Sequence, residues 1–124
     1  MILSTSTQSL QLVLSGAVGA TEPSFVVGYR QLNQQNKESI NINRGVTTSG
    51  TAVTLVAAPE AGIQREIKFL AIHNRDNASV TLTIRINDNG TFYDIYKATL
   101  ATLENLIYTE GAGFIAYTTG GAMK

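Results

Sequence analysis

The chain contains one histidine, His73, and no cysteine, and these two counts restrict the chemistry it can hold. Disulfides and thiolate metal sites are excluded. A Ser-His triad needs a base beside its nucleophile. His73 falls on a predicted strand just before the turn Asn74-Arg75-Asp76-Asn77, and Ser79 lies across that turn without a third group to orient the pair. A structural or interface role is the better reading. The acids Asp76, Asp88, Asp94, Glu104 and Glu110 offer carboxylates for acid–base work. However, Asp76 and Asp88 sit in turns, where Asp ordinarily caps backbone groups, and Asp94 sits within a strand.

The tetrad Asn87-Asp88-Asn89-Gly90 carries one acid, whereas a calcium loop needs acids at alternating positions and a distal Glu. A hairpin turn explains it. Gly111 and Gly113 are followed by no Lys-Ser/Thr pair, so they form no phosphate loop. Asn77-Ala78-Ser79 and Asn89-Gly90-Thr91 match the glycosylation sequon by chance, since no secretion signal accompanies them. Phe92, Tyr93, Tyr96, Tyr108 and Tyr117 are aromatics at strand positions, which more often pack or pair across strands than stack sugars or bases. The sequence therefore predicts no catalytic residue, no cofactor and no metal ligand.

The elements that would carry these residues are strands. Ala78 to Leu100 reads ASVTLTIRINDNGTFYDIYKATL. Val80, Leu82, Ile84 and Ile86 alternate with Ser79, Thr81, Thr83, Arg85 and Asn87, giving one apolar and one wet face. A tight turn at Asn89-Gly90 returns the chain, with Tyr93 and Ile95 expected on one face and Phe92 and Tyr96 on the other. Further strands are predicted at Ser9–Leu14, Ser24–Leu32, Thr51–Ala57 and Gln64–Asn74. A short one is predicted at Ile40–Ile42, and a last hairpin joins Asn105–Thr109 to Phe114–Thr118. Gly28 inside the second strand suggests a bulge or a close backbone approach. In Gln64–Asn74 both faces carry apolar residues, Ile67, Phe69 and Ala71 with His73 on one and Leu70 and Ile72 on the other, which predicts a central strand. Asn33 to Ser39 is expected to be an exposed loop. Ala98 to Leu106 alone admits a helical reading, and its β-rich flanks favour a loop.

The expected fold is all-β: a single antiparallel β-sandwich, jelly-roll-like, of about eight strands. Residues 1–8 are expected to form an extended N-terminal arm, 9–119 the sandwich, and 120–124 a C-terminal tail. Ile2 and Leu3 precede a Ser/Thr run and are the candidate interface residues of that arm. At 124 residues the chain suffices for one domain. Its formal net charge is zero, without the basic excess of a nucleic-acid binder. Charged residues make up 15%, below the usual ~25%, and Thr, Ser, Asn and Gln supply the missing polarity. Such a surface is cheap to desolvate, which hints at large protein interfaces. No apolar run approaches the ~20 residues of a membrane-spanning helix, and Met1-Ile2-Leu3 lacks the basic start of a signal peptide.

Four segments together carry a resemblance: the strand VTLVAAP, the Gly-x-x-Arg turn from Gly62 to Arg65, the strand–turn–strand IHNRDNASVTLTI, and KATLATLENLIYT. With the opening TQSLQLVLSGAVGATEPSFVVGYRQL, the chain resembles a group of small all-β structural proteins of tailed bacteriophages. It departs from them at Leu103, where such proteins more usually place Gly. The resemblance implies a virion component assembled in the bacterial host cytoplasm: a head decoration or cement protein, or a part of the neck, tail or fibre. It also implies a symmetric homo-oligomer, often a trimer, contacting the major capsid protein or other virion proteins. A host-glycan-binding module is the alternative from a different class.

Overall fold

The computed structural model describes residues 1–33, 35 and 37–124, so the loop predicted over Asn33 to Ser39 lies partly outside the described residues. Among the described residues there is no helix. These residues form ten strands in two antiparallel sheets: β1 (Ile2–Leu3), β2 (Gln8–Leu14), β3 (Ser24–Leu32), β4 (Glu38–Val46), β5 (Val53–Val56), β6 (Gln64–His73), β7 (Val80–Asp88), β8 (Thr91–Leu100), β9 (Asn105–Thr109) and β10 (Gly113–Tyr117). The larger sheet runs β10-β9-β6-β3-β4, with β1 paired to β6, and the smaller runs β5-β2-β7-β8. The all-β sandwich expected from the alternation is the architecture observed.

The two sheets bury their inner faces against each other. Leu10, Leu12 and Leu14 of β2 and Leu82 and Ile84 of β7 meet Val27 of β3, Leu70 and Ile72 of β6 and Leu106 of β9 in one apolar cluster. Each strand contributes every second residue because successive side chains leave on opposite faces. Three register shifts break that rule. One leaves Leu55 of β5 unpaired opposite Leu10 and Gln11, so that Leu55 and Val56 are both buried. The other two correct the expected faces of β6 and β8. Between Gly28 and Tyr29 the partner on β6 jumps from Phe69 to Ile67, so Lys68 is the extra residue. Ile67 therefore turns inward with Leu70 and Ile72, while Phe69, Ala71 and His73 face out. Between Ile84 and Arg85 the partner on β8 jumps from Tyr96 to Asp94, leaving Ile95 unpaired. Tyr96 thereby reaches the inner side and stacks on Phe114 at 4.6 Å between ring centroids.

The predicted N-terminal arm is replaced by a strand. Ile2 and Leu3 pair with Glu66 and Arg65 of β6, and the Ile67 N–H donates to the Met1 carbonyl at 2.9 Å. β9 pairs only with Phe69 to His73, so β6 keeps a free ladder position that β1 fills. Leu3 is fully buried in the core, while Ile2 is 54% exposed. Of the two residues expected on an interface, Leu3 is committed to the protein's own interior. Residues 120–124 also fold back: Met123 bridges Tyr117, and the Lys124 N–H donates to Ala116 O at 2.9 Å. The expected short strand at Ile40–Ile42 extends to nine residues, because β3 offers an uninterrupted ladder from Ser24 to Leu32. The stretch from Ala98 to Leu106 is the end of β8, a turn and the start of β9.

That turn holds a bulky residue in the left-handed region. Leu103 has φ +64 and is half exposed, so it stabilises little by burial. An L-residue there costs ~1–2 kcal/mol, and the extra unfolded-state freedom of Gly takes back ~0.5–1. Leu103→Gly should thus leave stability unchanged or raise it by up to ~1 kcal/mol, read as the urea midpoint. A loss above ~1 kcal/mol would show that the exposed leucine makes a contact worth more than its strain.

Candidate functional site

The buried polar groups gather at one end of the sandwich and satisfy one another. Asn74, with no exposure, is the hub. Its side-chain amide donates to Ala78 O at 3.0 Å and to Leu100 O at 2.9 Å. Its side-chain oxygen accepts from the Asp76 N–H, and its backbone bonds Leu103 and Glu104. Asp76, 1% exposed, accepts the N–H groups of Gly19 (2.7 Å), Ala20 (2.7 Å) and Thr21 (3.0 Å). Those three donors hold its carboxyl down at about 2, led by Gly19. Glu22 takes the hydroxyls of Thr47 and Ser49 and the Ser49 N–H. Glu104 takes the Lys124 ammonium and the Ala101 N–H, and its carboxyl is lowered by them in that order.

Each of these carboxylates accepts from fixed internal donors, which favour its ionised form. Asp76 works as the turn cap the sequence predicts, with the difference that it caps a loop 55–57 residues away. Its folded value lies below the ordinary 3.8. Its contribution to stability is therefore present above pH ~4 and lost as the pH falls from ~4 towards ~2. Asp76→Asn should lower Tm by about 5–10 °C near pH 6 and flatten the fall in Tm between pH 4 and 2. Thermal melts across that range check both; an unchanged acid slope would show that another group carries it.

His73 stands apart from these acids. Its Nδ1 lies 2.6 Å from Asn105 Oδ1 on the neighbouring strand, an amide partner that leaves the imidazole without a carboxylate orienter. Asp88 accepts the Thr7 hydroxyl at 2.6 Å, and the Gly90 N–H donates to the Asn87 side chain, completing the hairpin turn. Among the described residues no group of three His, Cys, Asp or Glu side chains is arranged to hold a metal ion. Two shallow depressions, of about 120 and 210 Å³, are lined by Leu14–Ala17 with Ser79–Thr81, and by Asn33, Gln35 and Ala61–Ile63. Neither lining contains a titratable side chain.

The outer faces of the two sheets differ sharply. The smaller sheet presents Ser9, Gln11, Thr54, Thr81, Thr83, Thr99 and Lys97, a hydroxyl- and amide-rich wet face. The larger sheet presents Ile115, Ile107, Ala71 and Val26 in register across four strands, and Phe69, Gly28 and Ile42 in the next row. Phe69 lies flat over Gly28, where an added Cβ would meet its ring at 2.2 Å, so the glycine serves a close approach at the bulge. Ile40 and Ile42 are 79% and 65% exposed. Below these rows runs an ion-pair chain, Glu38–Arg30–Glu66–Lys68–Glu110, with N–O distances from 2.5 to 3.1 Å. Arg30 Nε is the one buried side-chain polar atom without a partner among the described residues.

Sequence reasoning misses this face. Its signals are present in Ile40-Asn41-Ile42 and in the two apolar faces of β6, but alternation alone does not say that the second face stays uncovered. Comparison with protein-family models, with curated proteins and with solved structures finds no match. Among the described residues no helix is long and apolar enough to cross a membrane.

Proposed function

We propose that the chain is a non-enzymatic virion structural protein of a tailed bacteriophage, a capsid decoration or cement protein that stabilises the head through protein–protein contacts. The observation that carries this reading is the uncovered apolar outer face of the larger sheet, set on a rigid sandwich whose buried carboxylates are all engaged by internal donors. The sequence resemblance to phage structural proteins supplies the virion context. In this reading the protein acts in the virion as a homo-oligomer, a trimer being the form the resemblance favours, and its partners are the major capsid protein or other virion proteins. It takes no cofactor, nucleic acid or membrane. A neck, tail or fibre position uses the same surface.

The second reading, a host-glycan-binding module, is favoured by one feature. Phe92 and Tyr93 are 50% and 57% exposed near the β7–β8 turn, and the Arg85 guanidinium lies 3.8 Å over the Phe92 ring. Exposed aromatics beside Asn and Asp turns are suited to stacking sugar rings.

One experiment separates the two. The purified protein is mixed with undecorated phage heads and, in parallel, with host-cell glycans. The decoration reading expects co-sedimentation with heads that survives His73→Ala and falls with Phe69→Lys, and no glycan retention. Glycan binding lost on Phe92→Ala, without head binding, contradicts it. So does a catalytic turnover abolished by His73→Ala in a folded variant.

A further inference from the structure

Apart from the two-residue β1, which pairs only with β6, the two sheets end among the described residues on β10, β4, β5 and β8, and three of these four edge strands carry devices that discourage pairing with another chain. β10 is five residues long and its end is covered by Met123 and Lys124. β5 is four residues long. β8 is interrupted by the Ile95 bulge and carries Asp94 and Lys97. Short strands, bulges and charges are the usual protections of an open edge. β4 lacks them. It runs nine residues without a register shift, about 30 Å at ~3.4 Å per residue. It contains no proline, lysine or bulge, and among the described residues no strand pairs with its far side.

The residue order along β4, ESININRGV, is complementary to itself when reversed. In an antiparallel pairing centred on Asn41, Asn41 faces Asn41 of the second copy. Ile40 faces Ile42, Ser39 faces Asn43, and Glu38 faces Arg44. Glu38, Ile40, Ile42 and Arg44 alternate onto the outer face, so two isoleucine pairs would be flanked on both sides by opposite charges. The Asn41 pair lies on the axis and occurs once, and each of the other relations occurs twice, as a two-fold contact requires. Arg44 makes no ion pair among the described residues, and Arg30 engages only one carboxylate oxygen of Glu38. β4 is also held in place from behind, by Asn43 Nδ2 donating to Leu55 O of the other sheet at 2.9 Å, so little order would be lost on pairing.

We propose that β4 is a homodimerisation edge, on which a second copy of this chain docks antiparallel about a two-fold axis at Asn41, joining the two larger sheets into one. Main-chain hydrogen bonds supply the adhesion, and the Glu38–Arg44 pairs fix register and direction. The contact stands whether or not the protein belongs to a virion. It leaves the outer face of each larger sheet open, now continuous across the axis.

Charge variants test it without touching the core, because Glu38 and Arg44 are both exposed. In a self-pair, Arg44→Glu sets two carboxylates against each other at each end of the ladder. Glu38→Arg sets two guanidinium groups against each other at the same places. Each variant alone should self-associate at least about tenfold more weakly than the natural chain. Mixed one to one, the two variants meet as a purely acidic edge and a purely basic one, with opposite charges at both ends. They should pair within about threefold of the natural affinity. Sedimentation velocity across roughly 1–200 µM reads all three, a range suited to a contact of this size, with thermal melts confirming that each variant is folded. A natural chain that stays monomeric throughout overturns the proposal. So does an oligomer, trimeric or otherwise, that neither variant weakens, or a mixture that associates no better than its components.

Discussion

Deleting residues 1–7 should destabilise the protein by more than the ~2–5 kcal/mol expected for Leu3→Ala alone. Leu3 is fully buried within the core cluster, so truncating it leaves a cavity that the paired sheets around it can only partly close. The deletion removes in addition the two-residue ladder with β6 and the Ile67 bond to Met1. It also uncovers the β6 edge beside the end of β9. A domain of this size has ~5–15 kcal/mol of stability in total, so the truncated chain should unfold at a much lower urea concentration. Urea titration followed by β circular dichroism measures it for both variants. A truncated protein with the midpoint of the full chain would mean that β1 is a passenger on a complete sandwich.

The second large effect belongs to the centre of the smaller sheet. Leu82 and Ile84 have no exposure and sit on β7, paired on both sides by β2 and β8. Replacing either by Ala should cost ~2–5 kcal/mol. Their neighbours Thr81 and Thr83 point outward on the same strand, and replacing those by Ala should stay within ~0.5 kcal/mol. The contrast between adjacent positions is the content of the prediction. Losses below ~0.5 kcal/mol at both Leu82 and Ile84 would place the wrong face of β7 inside.

β7 shows what the sequence makes legible. Its apolar and hydroxylated residues alternate without interruption, so one pattern yields the strand, its buried face and the hairpin that follows. The same reasoning errs wherever one residue is inserted into a ladder. Lys68 and Ile95 look like ordinary strand residues, and each bulge reverses the faces beyond it; nothing local marks Ile67 as inward or Tyr96 as a partner for Phe114. Gly28 does signal the first bulge, because a ring lying on the backbone leaves no room for a Cβ.

The N-terminus is misread for a different reason. Two apolar residues before a Ser/Thr run are indistinguishable, in sequence, from a loose arm. They become a strand only because β9 stops short and leaves five-residue pairing where β6 offers ten positions. The site reading divides in the same way. Asp76 is legible as a cap, but the loop it caps is not, since its donors at Gly19 to Thr21 are far away in the chain. The outer face of the larger sheet requires knowing which strands are neighbours. Ile107, Ala71 and Val26 come from three separated segments and form a surface only through the β9-β6-β3 order.

The most direct test of the docking role is cryo-electron microscopy of tailed-phage particles purified from cells producing this chain. The expected result is sandwich density at symmetry-related positions on the particle, with the Ile107–Ala71–Val26 row of the larger sheet buried against a neighbouring protein. Particles that carry no such density, or that carry it with this face turned to solvent in every copy, would contradict it.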